Sequence, residues 1–405
     1  MIYYLVGIKG SGMSALAQVL YDNGHIVKGI DTDEYFFTQR PLCNIRIETF
    51  NDFKLSKSYI YIIGNAYINH DITKLIIKNK FKYYTYPNFI NTYFKNYRFI
   101  AVSGSHGKTT TAKILATIIP NSSYIIGDGC GCGKGKTSII VEACEYKNTF
   151  LNYNPDISIV LNVDYDHPDF FKSEFLYKRS FNEFIKKSNL VIMNGDNYDY
   201  KYNNIITYGM DYKNDIDFTY KIENNRALVS ILDNEYTLPF LGMHYAYDFV
   251  AAYIVAKLLD IDDEYIKEKL KHFKMPKRRF QKVLFKNCEA YLDYAHHPTE
   301  IACVYNTIKE LYKNKNIICI FQPHTLSRTE EFLDDFKKSL SLFNEVYLLP
   351  IFTSVREKVD EIKEKNMYDK LGYKIIHKIN DINYNTDNVY VFLGAGDIDK
   401  LVLND

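Results

Sequence analysis

The residues of this 405-residue chain best suited to chemistry stand together at Ser103-Gly104-Ser105-His106-Gly107-Lys108-Thr109-Thr110-Thr111. Two glycines let the backbone turn so that several N–H groups can face one anion. A helix expected over Thr110 to Ile119 adds the positive end of its dipole. Lys108 suits the terminal phosphates of a nucleotide, and the Thr109 hydroxyl can reach a magnesium ion. The spacing is the short G-x-x-G-K-T form, because Val102 stands where the full Walker pattern has glycine. The strand expected over Arg98 to Ser103 sets the loop between a strand and a helix, and that setting carries the phosphate assignment. Similar letters recur at Gly133-Lys134-Gly135-Lys136-Thr137. There a strand, Ser138 to Val141, comes next, so no helix N-terminus backs the lysine and a flexible loop without ligand is expected.

Acidic residues close the strands that follow. Glu142 and Glu145 come just after Val141, and Asp164, Asp166 and His167 come after the strand expected over Ile157 to Asn162. In doubly wound sheets ligands bind outside the carboxyl ends of strands. A carboxylate and an imidazole there can hold magnesium directly or through water. Glu142 and Glu145 both compete for that position, and Glu142 is preferred because it ends its strand. Near the N-terminus, Gly7-Ile8-Lys9-Gly10-Ser11-Gly12 reads G-x-x-G-x-G rather than the dinucleotide G-x-G-x-x-G, which suits a diphosphate better than NAD. Asp31 ends the next strand, where a ribose-binding acid would sit. Further on, Asp293-Tyr294-Ala295-His296-His297-Pro298 and Gln322-Pro323-His324-Thr325-Leu326-Ser327-Arg328 each end a strand and open a helix. Histidines and an arginine at two such ends suggest a rim facing an anionic ligand.

The elements that must position these residues alternate strand and helix. Ile2 to Val6, Met13 to Tyr21 and His25 to Ile30 form a strand–helix–strand unit, with Tyr59 to Ile63 another strand. Strands at Leu190 to Met193, Ala290 to Tyr294, Ile317 to Phe321, Glu345 to Leu349 and Val389 to Leu393 continue the pattern. Ala246 to Leu259 reads as one helix, helical stretches open at Thr299 and Arg328, and Asp215 to Leu238 reads as an irregular, β-rich flank. Cuts near 96 and 276 give three α/β domains, 1–96, 97–276 and 277–405.

Composition bounds the partners. Fifty basic residues against 49 acidic leave a net charge of +1, which argues against nucleic acid, where neutralising phosphates dominates affinity. With 37 Tyr and 26 Phe but no Trp, the aromatic set points to mutational bias rather than a binding surface. Of seven cysteines only Cys130 and Cys132 lie close together, with no second pair to complete a zinc set, which suits a reducing cytosol. No segment reaches the ~18 apolar residues of a membrane span, and the first residues lack a basic leader, so a soluble cytoplasmic chain without membrane partner is expected.

Taken in order, Gly7 to Met13, Gly104 to Thr109, Asp166-His167-Pro168, Asp293 to Pro298 and Gln322-Pro323-His324 resemble the Mur ligases, and the likeness runs on to Gly394-Ala395-Gly396-Asp397. The resemblance implies a Rossmann-like N-terminal domain for a UDP-sugar, a central P-loop-type ATPase domain and a Rossmann-like C-terminal ligase domain. It implies ATP and magnesium, with UDP-N-acetylmuramate and L-alanine as substrates, and a monomer or homodimer. By the same likeness Gly10, Ser11 and Gly12 meet the diphosphate, and Gly104, Ser105, His106, Gly107, Lys108, Thr109 and Thr110 hold ATP. Thr109, Glu142 and His167 surround the metal; Arg279, Asp293 and His296 lie near the nucleotide; His297, His324 and Arg328 face substrate. Lys108, His167 and Arg328 are the expected catalytic set. A sister ligase (murein tripeptide recycling or folylpolyglutamate-type) and a non-catalytic nucleotide-binding regulator are the alternatives. Where the family often has G-x-H-N-x-x-N, this chain has Gly242-Met243-His244-Tyr245-Ala246-Tyr247-Asp248, and Lys178 is too poorly spaced to take the role of a carbamylated lysine.

Overall fold

The computed structural model describes residues 1–197, 202–211, 213–352, 360–382 and 384–403. The chain forms two compact bodies. One comprises Met1–Asp164, Lys178–Phe218 and Tyr247–His272, the other Tyr165–Tyr177, Thr219–Ala246 and Phe273–Asp405.

The first body opens with β1 (Ile2–Val6), α1 (Ser11–Asp22), β2 (Ile26–Ile30), β3 (Arg46–Glu48), β4 (Tyr59–Ile63), α2 (Asp71–Lys78), β5 (Tyr83–Thr85) and α3 (Tyr86–Tyr93). Its five-stranded sheet has the order β3-β2-β1-β4-β5 and is parallel throughout. β1 is an unbroken apolar run because helices cover both faces of a parallel sheet. Tyr4, Val6, Tyr61 and Ile63 pack on Ile72 and Ile76 of α2, and α1 buries Met13, Leu16, Val19 and Leu20.

The chain continues with β6 (Arg98–Ser103), α4 (Lys108–Ile118), β7 (Ser122–Ile125), β8 (Gly131–Cys132), β9 (Ser138–Glu142), β10 (Ile157–Val160), α5 (Glu174–Lys187), β11 (Leu190–Asn194), β12 (Ile205–Gly209) and β13 (Ile216–Glu223). They line up as β13-β12-β11-β10-β6-β9-β7-β8, with β7–β8 the antiparallel pair. β14 (Arg226–Ile231) and β15 (Asn234–Leu238) form an antiparallel hairpin that belongs to the second body, and α6 (Met243–Leu258) and α7 (Asp263–Lys271) follow in the chain. The irregular flank expected over Asp215 to Leu238 is thus three regular strands, in which β14 alternates exposed and buried residues. α4 starts at Lys108, two residues before the expected Thr110, because the left-handed Gly107 lets the chain enter the helix at once. The sequence pattern gave no sign of α5, yet its Phe181, Phe184 and Ile185 are fully buried, with Phe184 stacked on Phe150 at 4.7 Å.

One expectation is corrected here. Residues 127–136 are not a loose loop but a strap packed on α1. Gln18 donates to the Gly129 carbonyl at 2.7 Å, Gly133 N–H donates to Asp22 at 2.9 Å, and the Lys136 ammonium donates to Asn23 at 2.5 Å. A β-carbon at Gly131 would run into the Ala15 carbonyl. The glycines serve close packing there, not phosphate binding.

The second body carries β16 (Gln281–Phe285), β17 (Cys288–Asp293), α8 (Pro298–Leu311), β18 (Ile317–Phe321), α9 (Leu326–Glu331), α10 (Leu333–Leu340), β19 (Glu345–Leu348), α11 (Glu361–Leu371), β20 (Lys374–Ile375), β21 (Val389–Leu393) and α12 (Ile398–Leu403). The order is β16-β17-β21-β18-β19-β20, parallel except for the β16–β17 hairpin. Lys286 and Asn287 turn that hairpin at φ 46° and 61°, the positive values a two-residue turn of this hand requires. Two cores flank the sheet, one led by Phe321, Phe336 and Leu348, the other by Leu292, Ile320 and Phe392.

Candidate active site

β6 delivers the phosphate loop at the carboxyl edge of the second sheet. Gly104 and Gly107 have φ of 138° and 82°, and a β-carbon at Gly107 would collide with the Asp248 carboxylate. Glycine is required at 107 on both counts. The chain after β10 braces the loop: Ser105 N–H donates to the Asn162 carbonyl at 3.1 Å and His106 N–H to its side chain at 2.8 Å. The Ser105 hydroxyl donates to the Asp164 carbonyl at 2.6 Å, and the His106 ring lies 3.3 Å from the Asp164 carboxylate. The first N–H groups of α4 have no partner within their helix and open towards the loop.

Two acid–donor pairs divide the work beside it. The Lys108 ammonium lies 3.2 and 3.0 Å from the two oxygens of the buried Glu145, and it also donates to the Gly104 and Ser105 carbonyls at 2.5 and 3.0 Å. Burial alone would favour loss of its proton, but the neighbouring carboxylate outweighs that and holds Lys108 charged. The Thr109 hydroxyl donates to Glu142 at 3.0 Å, and Glu142 accepts Gly127 N–H at 2.8 Å. Burial pushes the Glu142 carboxyl up, against the pull of Lys108. A hydroxyl and a carboxylate side by side at a helix N-terminus are hard oxygen donors, the kind magnesium selects, so these residues fit the ion. Of the two glutamates, Glu142 stands with the Thr109 hydroxyl and Glu145 with the lysine.

At the first sheet, α1 begins after Gly10, which is extended and supplies no capping side chain. The helix end is therefore left for an anion. Asp31 does not look outward to a ribose, as expected. It is buried, and its carboxylate accepts Lys9 N–H at 2.6 Å, Thr32 N–H at 2.9 Å and the Tyr67 hydroxyl at 2.7 Å. Its place is to hold the glycine loop, with the Lys9 ammonium tying the Thr32 and Glu34 carbonyls at 2.7 Å each.

In the second body Arg328 is also not a free rim residue. Its guanidinium grips Asp166 in a two-pronged ion pair of 2.9 and 3.1 Å, with both side chains under a tenth exposed. Burial would raise the Asp166 carboxyl, but His167 and Arg328 override it and hold it well below the usual carboxylate range. The remaining arm of Arg328 lies 3.2 Å from His324 Nδ1. A guanidinium can only donate, so that nitrogen is the acceptor and the ring proton sits on Nε2. His297, expected at the rim, is buried as the cap of α8, where it accepts Thr299 N–H at 3.4 Å. Asp293, expected near the nucleotide, accepts Phe280 and Ala295 N–H at 2.6 and 2.7 Å. His296 meets Glu300 at 3.2 Å, and Arg279 lies over the Tyr294 ring at 5.0 Å and 3.7 Å from the same glutamate.

Known proteins match this architecture end to end. The Mur ligase family catalytic domain matches residues 2–81, the Mur ligase middle domain residues 102–256, and the Mur ligase glutamate ligase domain residues 278–398. The chain belongs to the Mur ligase family. A UDP-N-acetylmuramate–alanine ligase of Thermotoga maritima superposes with a TM-score of 0.77 at 23% identity, over 98% of this chain and 96% of that one. A murein peptide ligase of Psychrobacter arcticus gives 0.68 at 18%, over 100% and 98%. The MurF ligase of Thermotoga maritima in complex with ADP gives 0.62 at 16%, over 92% of each chain. These similarities establish the three-domain α/β fold.

Mur ligases are ATP-dependent amide ligases of peptidoglycan synthesis, and that activity holds for this member. Among the described residues no helix is long and apolar enough to cross a membrane. Of the Mur motif residues, Gly104 to Thr110 and Glu142 come together at one strand edge, while His167 belongs to the other body. Asn162 and Tyr67 shape the two loops without any signal in the sequence beyond Asn162 following an apolar run.

Proposed function

We propose that the chain is a UDP-N-acetylmuramate–L-alanine ligase, coupling that amide bond to cleavage of ATP into ADP and phosphate in the cytoplasm. Residues 1–96 would hold the UDP-sugar, 97–276 ATP, and 277–405 the incoming amino acid, in a monomer or homodimer. The observation that carries this is the convergence, at the N-terminus of α4, of a charged Lys108 and the Thr109–Glu142 oxygen pair.

A carboxylate has no good leaving group, so it must be activated before an amine can displace it. The loop amides and Lys108 would hold the γ-phosphate and offset the charge that gathers as it transfers to the sugar carboxylate. A magnesium ion bound there would polarise the phosphate oxygens, with Thr109 and Glu142 as its protein oxygens and His167 the further group the family implies. The amine of L-alanine then attacks the acyl carbon, the C–N bond forms, phosphate leaves and the amine gives up a proton. Arg279, His296 and His324 are proposed to bind the anionic groups of substrate.

A murein peptide ligase is the second reading, favoured by the full-length superposition on the Psychrobacter enzyme. The two differ in the incoming amine. A panel of L-alanine, glycine, L-serine and the murein tripeptide, each offered with UDP-N-acetylmuramate and ATP, tests the assignment. Highest kcat/KM with L-alanine is expected, and preference for the tripeptide would move the chain to the second reading.

A further inference from the structure

Tyr86 is the first residue of α3 and follows β5 at the carboxyl edge of the first sheet. Its ring lies over Gly12, in the first turn of α1. A β-carbon built on Gly12 would stand 2.5 Å from the phenol oxygen and 2.7 Å from the ring carbon that carries it. The phenol therefore overhangs the helix end that Gly10 leaves uncapped. Three other tyrosines of this body use their hydroxyls within the protein: Tyr4 on Glu48 at 2.8 Å, Tyr67 on Asp31 at 2.7 Å, Tyr247 on Asp196 at 2.6 Å. The Tyr86 hydroxyl has no hydrogen-bond partner among the described residues. Burial, with the Glu142 carboxylate contributing, strengthens its hold on its proton, so it stands as a donor.

The half-buried phenol, with no partner among the described residues, can give its hydrogen bond to a ligand that supplies an acceptor. The neighbouring helix end attracts an anion, and a phenol donor beside it adds a directed bond that the backbone alone does not give. We propose that Tyr86 is a substrate-contacting residue whose phenol donates a hydrogen bond to the diphosphate of the UDP-sugar at the N-terminus of α1. It rests on the assignment of that helix end to the UDP-sugar. Gly12 then has a second reason to be glycine: a side chain there would push the phenol off its place.

The test is the Tyr86→Phe enzyme, full length, against the parent. Because the hydroxyl has no partner among the described residues, the thermal midpoint without ligand should be unchanged. Calorimetric Kd for UDP-N-acetylmuramate and for UDP should both rise about ten- to a hundredfold, the usual weight of a hydrogen bond to a charged group, with the KM for ATP within twofold. Parent enzyme that binds neither UDP compound would remove the diphosphate assignment and this contact with it. Parent enzyme that binds both, with Tyr86→Phe binding them equally well, would remove the contact alone. A lower thermal midpoint with parallel losses for ATP and UDP would make Tyr86 a packing residue and overturn the proposal.

Discussion

Lys108 and Glu145 form an ion pair of 3.0 and 3.2 Å in which the carboxylate side chain is 1% exposed. A buried ammonium without a counter-charge would tend to lose its proton; here it stays charged and bent onto its own loop. Glu145 is thus the counter-charge that keeps the Lys108 ammonium protonated. Lys108→Ala should lower kcat by about a hundred- to a thousandfold, the scale for removing one donor to transition-state charge. Lys136→Ala, whose ammonium reaches Asn23 and the Gly133 carbonyl, should change kcat less than twofold. Steady-state kinetics on the two variants checks this, and equal losses would show that the loop at Gly104 is not the phosphate site.

Glu142 and Thr109 should set the magnesium requirement. Glu142→Gln keeps the shape and an acceptor for Gly127 N–H but removes the charge a hard cation selects. The magnesium concentration for half-maximal rate should rise at least about tenfold, with the thermal midpoint in metal-free buffer unchanged or higher, because a carboxylate raised by burial is removed. Titrating magnesium at saturating ATP measures it; an unmoved half-maximal magnesium concentration would place the metal elsewhere.

The Asp166–Arg328 pair should be a matter of stability. Breaking a buried pair leaves one charge uncompensated, at about 3–5 kcal/mol, so Arg328→Met should lower the denaturation midpoint sharply and Asp166→Asn/Arg328→Met should recover part of it. The folded-state carboxyl is held below its ordinary 3.8, so the folded state binds its proton less readily than the unfolded chain does. Its contribution is therefore full above the ordinary carboxylate pKa and is lost as pH falls below it. Stability against urea from pH 7 to pH 3 should fall less steeply in the double variant than in the parent.

Asp31 offers a test of loop-holding against ribose contact. Asp31→Asn weakens acceptance from Lys9 N–H and Tyr67, so both the thermal midpoint and the affinity for UDP-N-acetylmuramate should drop, the latter about tenfold. Lost affinity at an unchanged midpoint would restore the ribose role.

Local chemistry was legible in the sequence where it depends on a short stretch. The strands Arg98–Ser103, Tyr59–Ile63, Ile317–Phe321 and Val389–Leu393 coincide with their apolar runs. The loop between Ser103 and Lys108 follows from its glycines. Residues whose partners lie elsewhere in the chain were not legible. Asp31 and Asp293 stand at strand ends, as a ligand-binding acid would, yet both close the turns around them. Arg328 and Asp166 meet across 162 positions, a contact no spacing rule reveals. Glu145 and Glu142 are equivalent on paper, and only the direction of β9 and the turn after it sends one to Lys108 and the other to Thr109. Tyr86 carries no motif at all.

The most direct test follows oxygen. With ¹⁸O in the carboxylate of UDP-N-acetylmuramate, ATP, magnesium and L-alanine, one labelled oxygen should leave in inorganic phosphate, with ADP and UDP-N-acetylmuramoyl-L-alanine formed in equal amounts. Label in AMP with release of pyrophosphate, or unlabelled phosphate with no amide formed, would contradict the assignment.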